Sequence, residues 1–369
     1  MTNSVTIGVG LIGVGTLTTG IVAGVDAEGI VHRGDLRLGW RVRSGNDWLT
    51  PGRDAPTRQL RPDAAPVVHT ALRIAGGDAV ERVYAVGDGE DAIVVVEVEN
   101  ASPEAIAVGF VVDGPGKIAV DDYGVRFDGA LALSFVRRPG AVEDGNVLVF
   151  PVPHRTTVRV ALTTRSGVEV RTLADVDAVS RAWGSILDRG MRTELPEPLQ
   201  SQIDAARADV LLAPPSTDAF VALEAWGLDR EAVEMWAHLP GRARRAAKRA
   251  VSSGVLAETR AALVRENGRT VDLLPGFRPA WLGQPVAAHD LPLRQGLCSF
   301  AVRWHGPRPA LLWDVPAGMT VRVPALDPTW SSNEPVGEAL LGEPPTSLLA
   351  MGERGSSTGT TVDAPEQFS

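Results

Sequence analysis

The residues whose type and spacing could do chemistry are four carboxylates in the middle of the chain: Glu224, Asp229, Glu231 and Glu234. A glycoside hydrolase needs two carboxyl groups that flank one glycosidic bond, commonly about 5–10 Å apart. Glu231 and Glu234 are three residues apart on a predicted helix, so they could be neighbours and form the candidate catalytic pair. Surface helices often carry the same spacing, and we favour a solvated helical face over a catalytic site at these two positions.

Tryptophan is the second residue type that could form a functional site, and the chain has nine. An exposed indole can stack on the face of a sugar ring, whereas a buried one fills a hydrophobic core. We predict core positions for Trp40, Trp304 and Trp313, because each falls on the apolar face of an alternating strand. The candidate carbohydrate-binding residues lie at predicted turns or element ends, and they are Trp48, Trp226, Trp236 and Trp281. Core packing is the commoner role of any single tryptophan.

Metal and cofactor chemistry finds little support in the sequence. The six histidines form no pair at helical spacing, and none lies near the single cysteine, Cys298, so we expect no metal site and no cofactor. The glycine pattern GVGLIG at residues 8–13 has the spacing of a dinucleotide fingerprint. The residues that follow are rich in Gly, Thr and Val and are poor helix formers, so we interpret this segment as a glycine-rich strand or bulge.

The composition limits the partners and the compartment. Lys and Arg number 36 against 45 for Asp and Glu, and this net charge of −9 disfavours nucleic acid, whose binding requires phosphate neutralisation. One cysteine leaves no internal disulfide and fits a reducing compartment, so we predict a cytoplasmic protein. Residues 5–25 are uncharged and long enough to span a bilayer. Their many glycines and the absence of a preceding Lys or Arg favour soluble strands and turns over a membrane or export segment.

Alternation of apolar and polar residues dominates residues 1–173. In residues 36–43 the apolar side chains occupy one face of a predicted strand, and Arg37, Arg41 and Arg43 occupy the other. About ten such runs, separated by turn residues, predict a large N-terminal antiparallel β-sandwich.

Helical spacing replaces this alternation near residue 175. The apolar residues at 176, 179, 183 and 187 fall on one helical face, and short helices are predicted across a helical segment at 174–267. A basic run at 242–249 is predicted to be a solvated helix face. Strand patterns return at 268–341 and predict a small C-terminal β-sandwich. Residues 342–369 contain few large apolar side chains and are predicted to be a disordered tail. The predicted fold class is therefore mainly β with a helical middle.

This element order and three local phrases resemble glycoside hydrolases with an (α/α)6 barrel, in the glucoamylase-like and fucosidase-like families. The phrases are VDAEGIV at 25–31, EVENAS at 97–102 and LLPGFRPAWL at 273–282. A full barrel needs about 12 helices, whereas residues 175–267 have room for roughly five or six. The resemblance therefore implies a truncated relative that keeps the N-terminal β-supersandwich and the C-terminal β-sandwich. Neither catalytic carboxylate of those families matches a position in this chain.

These observations give one leading hypothesis and two alternatives. The leading hypothesis is a non-catalytic, glycoside-hydrolase-like protein that binds carbohydrate or a partner protein. The first alternative is a glycan-acting hydrolase that uses carboxylates of the helical segment, with Glu231 and Glu234 as candidates. The second is a structural module whose exposed apolar surface mediates self-association. A concave site that combines exposed tryptophan with paired acids would favour sugar chemistry.

Overall fold

The computed structural model describes residues 10–87, 92–248, 250, 253–345 and 348. Contacts divide the chain into two compact units. The first comprises Met1–Leu187 with Asp204–Ala219, and the second comprises Asp188–Ile203 with Phe220–Ser369. Most of the tail predicted at 342–369 lies outside the described residues. The predicted fold class, mainly β with a helical middle, is confirmed.

Two large antiparallel sheets build the first unit. Their strands are β1 (Ile12–Thr16), β2 (Gly20–Val25), β3 (Val31–Arg33), β4 (Leu36–Ser44), β5 (Asp47–Leu49), β6 (Thr57–Leu60), β7 (Val68–Ile74), β8 (Gly77–Val86), β9 (Ile93–Asn100), β10 (Ile106–Asp113), β11 (Ile118–Val120), β12 (Gly124–Phe127), β13 (Ala130–Phe135), β14 (Ala141–Glu143), β15 (Val147–Val152) and β16 (Thr157–Leu162). The first sheet has the order β1-β2-β3-β4-β10-β15-β14, with β5 paired to β4. The second has the order β11-β12-β13-β16-β9-β8-β7-β6.

The core of this unit lies between the two sheets. Alternate residues of β4, namely Leu38, Trp40 and Val42, are buried, because successive side chains of a strand point to opposite faces. They belong to one buried cluster with Val96 and Val98 of β9 in the other sheet. The sheets therefore pack face to face as a sandwich.

The outer face of the second sheet is also buried around β9. Strand β9 is buried at nearly every position, which is typical of a strand packed on both faces. On this outer side the Tyr84 hydroxyl donates to Glu97 Oε1 at 2.7 Å, and Arg159 Nε donates to the same oxygen at 2.6 Å. Arg159 also donates to the carbonyl of Leu173 at 3.1 Å. The buried carboxylate is thus paired and hydrogen-bonded, as a buried charge requires.

The amino-terminal glycine pattern forms a hairpin. Strands β1 and β2 pair antiparallel from Ile12 opposite Val25 to Thr16 opposite Gly20. No helix begins at Gly13, so the strand interpretation is confirmed for the described part of the pattern, while residues 8 and 9 lie outside it. Within the described ranges, no helix is long and apolar enough to cross a bilayer.

The EVENAS phrase has a local structural role. Asn100 Nδ2 donates to the carbonyls of Glu104 at 2.7 Å and Val152 at 3.0 Å. Its Oδ1 accepts from the backbone N–H of Ser102 at 3.0 Å and from the Ser102 hydroxyl at 2.7 Å. One asparagine therefore satisfies the buried backbone groups where β9 ends and the chain turns towards β10.

Six α-helices are described in the middle of the chain, half the number that a full six-hairpin barrel needs. The first, α1 (Val176–Leu187), buries Val179, Trp183 and Leu187, as its spacing predicts. The others are α2 (Leu199–Leu212), α3 (Thr217–Ala225), α4 (Asp229–His238), α5 (Gly241–Ala247) and α6 (Gly254–Leu263). A short strand, β17 (Arg192–Glu194), interrupts this predicted helical segment.

Two smaller sheets belong to the second unit. Their strands after β17 are β18 (Val264–Asn267), β19 (Thr270–Leu273), β20 (Val286–Leu293), β21 (Gly296–His305), β22 (Arg308–Asp314), β23 (Thr320–Val323), β24 (Asp327–Ser332) and β25 (Val336–Leu340). The five-stranded sheet has the order β17-β20-β21-β22-β25, and the four-stranded sheet has the order β18-β19-β23-β24. Pairing is antiparallel except between β19 and β23. The four-part division predicted at 173/174, 267/268 and 341/342 stays a prediction.

One buried carboxylate ties three strands of the four-stranded sheet together. Asp272 is only 1% exposed and pairs with Arg265 of β18 at 2.8 Å and Arg322 of β23 at 2.6 Å. Burial raises the pKa of Asp272, but the hydrogen bonds and charges of the two arginines outweigh that effect and hold it below its ordinary value.

Candidate functional site

A cavity of about 720 Å³ lies in the helical part of the second unit, between α3 and α4 and beside the end of α5. A volume of this order is typical of small-molecule sites. Five of its lining residues carry the chemistry, and they are Phe220, Glu224, Asp229, Trp236 and Lys248. We call this space the α3–α4 cavity.

A tight turn brings the two carboxylates of the cavity together. Glu224 lies in the last turn of α3, and Asp229 is the first residue of α4. Gly227 connects the helices with φ of 69°, a left-handed conformation that glycine adopts without strain. Its N–H donates to the carbonyl of Glu224 at 3.2 Å, and the N–H of Leu228 donates to that of Leu223 at 3.0 Å. The short connection therefore fixes where one helix ends and the next begins.

The charge of Asp229 acts on Glu224. Partial burial, with the nearby charge of Asp229 adding to it, raises the pKa of Glu224 above its ordinary value. A carboxyl group whose pKa is raised beside a second carboxylate is a feature of general acid–base pairs. The same two groups can also bind sugar hydroxyls, because a carboxylate accepts hydrogen bonds and a protonated carboxyl can donate one.

The indole of Trp236 forms the aromatic wall of the cavity. Its ring lies 4.9 Å from the ring of Phe220 at an angle of 46°, and the Arg244 guanidinium lies 5.8 Å from its centroid. Arg244 is itself held by donation to the carbonyl of Ala237 at 2.7 Å. Trp236 is half-buried, so the ring is fixed by its neighbours and still borders open space. Trp236 therefore remains a candidate carbohydrate-binding residue.

The predicted acid pair Glu231 and Glu234 does not share a site. Glu231 is buried and pairs with Arg189 at 2.6 Å, whereas Glu234 is exposed and pairs with Arg230 at 3.3 Å. Neither lines the α3–α4 cavity. The expectation of a solvated face is wrong for Glu231, because position 231 faces the interior of its unit. The same expectation agrees with the exposed position of Glu234.

Two of the four candidate tryptophans are not exposed, contrary to expectation. Trp226 and Trp281 are 1% and 2% exposed, so neither offers a ring face to a sugar. The indole N–H of Trp226 donates to the carbonyl of Leu256 at 3.3 Å, and the Trp226 carbonyl accepts from Met191 at 2.8 Å. The turn that carries Trp226 is thus covered by segments about 30 residues away in sequence, which local patterns cannot indicate.

The four other tryptophans with a predicted role divide between core and surface. Trp40 and Trp313 are buried as predicted, whereas Trp304 is half-buried and donates to the carbonyl of Gln284 at 2.9 Å. Trp48 is half-buried on the outer face of the first sheet, in the other unit from the α3–α4 cavity.

Sequence reasoning named Glu224 and Asp229 but did not pair them. The available signal was their position on either side of Gly227, at the end of one predicted helix and the start of the next. Phe220 and Lys248 carried no signal of a shared site. Among the described residues, no three His, Cys, Asp or Glu side chains are placed to hold a metal ion.

Comparison with known proteins gives no assignment. No protein-family model matches this chain, and no curated protein matches it significantly.

Proposed function

We propose that this protein binds a carbohydrate in the α3–α4 cavity. The observation that carries the proposal is the presence of the Trp236 indole in one cavity with the carboxyl groups of Glu224 and Asp229. Sugar rings present an apolar C–H face, which suits an aromatic wall, and hydroxyl groups, which suit carboxylates as acceptors. The cavity volume of about 720 Å³ lies within the range of small-molecule sites.

The resemblance to glycoside hydrolases supports the ligand class but not an activity, because fold does not imply function. The middle of the chain has six described helices instead of about twelve, so a barrel of that family would be incomplete. Binding without catalysis is therefore the leading proposal. Partner-protein binding, self-association and a cytoplasmic location stay predictions.

Isothermal titration calorimetry against a panel of mono- and oligosaccharides, including α-glucans, tests the proposal. We expect at least one neutral sugar to bind, and Trp236→Ala to weaken its affinity by at least about tenfold, equivalent to ~1.4 kcal/mol. Trp304→Ala is the matched control, since Trp304 is also half-buried in the same unit but lies outside the α3–α4 cavity. If no sugar of the panel binds, or if Trp236→Ala binds as tightly as wild type, carbohydrate binding in the α3–α4 cavity is rejected.

A second candidate function, glycan hydrolysis, is favoured by one specific observation. The raised pKa of Glu224 beside Asp229 suits a general acid paired with a base or nucleophile. Turnover of an aryl-glycoside panel tests it, and both Glu224→Gln and Asp229→Asn should abolish activity. Glu234 is an exposed carboxylate on the same helix as Asp229, and Glu234→Gln should leave activity unchanged. Turnover that survives Glu224→Gln would exclude this mechanism.

A further inference from the structure

The outer face of the first sheet carries a group of arginines that the α3–α4 cavity does not involve. Because Leu38, Trp40 and Val42 of β4 point into the core, the alternate residues must point outwards. The outward residues of β4 are Arg37, Gly39, Arg41 and Arg43. Together with Trp48 of β5 we call these residues the arginine face.

Trp48 packs against this face. It is paired opposite Arg43, and the guanidinium carbons of Arg41 and Arg43 lie 4.3 Å and 5.0 Å from its ring centroid. A Cβ atom added at Gly109 of β10 would lie 3.0 Å from the indole, so the absence of a side chain there makes room for the ring. Cation–π contact and close packing together hold Trp48 in a defined position while part of it remains exposed.

The positive charges of the arginine face are only partly neutralised. Glu143 of β14 accepts from Arg41 Nη2 at 2.8 Å, but its other oxygen is 3.8 Å from Arg43 Nη1, beyond hydrogen-bonding distance. The buried Nε of Arg41 has no hydrogen-bond partner among the described residues. Asp113 lies opposite Arg37 and accepts from Asn146 at 3.0 Å. Among the described residues, these three guanidinium groups therefore make one close ion pair, between Arg41 and Glu143, in a protein whose net charge is −9.

We propose that the arginine face binds a uronate-bearing polysaccharide. A guanidinium recognises a carboxylate through two parallel hydrogen bonds, and Arg43 has donors that its loose ion pair leaves unused. The exposed part of Trp48 offers apolar surface to the neighbouring sugar ring. Gly39 leaves open surface between Arg37 and Arg41, which suits an extended chain lying along the sheet rather than an enclosed small molecule.

This proposal does not depend on the α3–α4 cavity, which belongs to the other unit. Polygalacturonate is the probe, with dextran as a neutral polysaccharide and polyglutamate as an acidic chain without sugar rings. Affinity electrophoresis should show retardation by polygalacturonate, weak retardation by polyglutamate and none by dextran. Retardation should decrease as salt rises, because partly exposed charges are screened.

Variants assign the binding to named residues. Trp48→Ala and Arg43→Gln should each weaken polygalacturonate binding at least about fivefold, equivalent to ~1 kcal/mol. Arg58→Ala removes an exposed arginine from the second sheet and should have no effect. Trp236→Ala in the cavity should also have no effect, which separates this proposal from the previous one. Circular dichroism checks that each variant folds, and Arg43→Gln remains decisive if Trp48→Ala does not fold.

Three outcomes overturn the proposal. The first is no retardation of the wild-type protein by polygalacturonate. The second is equal retardation by polyglutamate, which would indicate an acidic protein partner instead of a sugar. The third is a folded Arg43→Gln variant that binds polygalacturonate as tightly as wild type.

Discussion

Glu81 should make the first unit less stable as the pH rises. Its side chain is 1% exposed on β8, and neither carboxyl oxygen has a hydrogen-bond partner among the described residues. A Cβ atom at Gly29 would lie 2.2 Å from Oε2, so the carboxyl group is pressed against the backbone of the loop between β2 and β3. Burial, with the charge of Asp26 adding to it, raises the pKa of Glu81 well above its ordinary value.

The sign of the pH effect follows from proton binding in the two states. The folded state keeps the Glu81 proton to higher pH than the unfolded chain, whose glutamate pKa is about 4.3. The folded state therefore binds more protons throughout the interval between those two pKa values, and the free energy of unfolding falls as pH rises through it. One proton gives a limiting slope of about 1.4 kcal/mol per pH unit. Below about pH 4.3 the group contributes its full stabilisation.

Urea unfolding at several pH values, followed by hydrogen exchange in peptides from β7 to β9, measures this slope. Glu81→Gln removes the titration and replaces one buried polar group without partners by another of nearly the same size. The variant should therefore be close to wild type in stability at low pH and become the more stable of the two as pH rises. Glu104→Gln, at an exposed position, controls for the loss of one carboxyl group. Parallel curves for wild type and Glu81→Gln would refute the argument.

Three other buried groups give further predictions. Burial raises the pKa of the Cys298 thiol to about 12, so iodoacetamide should leave the native protein unlabelled near about pH 8 and label it in urea, as intact mass would show. Asp272→Ala should lower the free energy of unfolding by about 1–3 kcal/mol, because Arg265 and Arg322 lose a buried acceptor. Since the pKa of Asp272 is depressed on folding, urea unfolding should show this difference above about pH 4 and a smaller one as pH falls below it. Trp226→Ala should cost about 3–5 kcal/mol in urea unfolding by emptying a fully buried site, and a cost below about 1 kcal/mol would contradict its place in the core.

Period-two alternation carried most of the fold information in the first unit. Leu38, Trp40 and Val42 are buried because a strand has only two faces, so a local pattern determines which side chains meet the core. The same logic found the helical face of α1, where Val179 and Trp183 are buried. Neither pattern depends on which strand pairs with which.

The short strand β17 could not be predicted in this way. Its three residues, Arg192–Glu194, carry too little alternation to indicate a strand, and they pair with residues near His289 that lie almost a hundred positions later. Such long-range pairing is set by the packing of the whole unit rather than by local preference. The burial of Trp226 has the same origin, since its indole contacts a carbonyl of α6.

The candidate site shows why spacing along one helix is a poor guide to paired acids. Glu231 and Glu234 share α4 at a spacing that makes neighbours, yet Glu231 is buried against Arg189 and Glu234 is in solvent beside Arg230. Glu224 and Asp229 line one cavity because the first helix ends just before Gly227 and the next begins just after it, so their arrangement depends on the turn. A side chain at 227 would require φ of 69° and would lie 3.1 Å from Pro292, and both constraints favour glycine. The chemistry available in the α3–α4 cavity, binding or catalytic, therefore rests on one residue that carries no functional group.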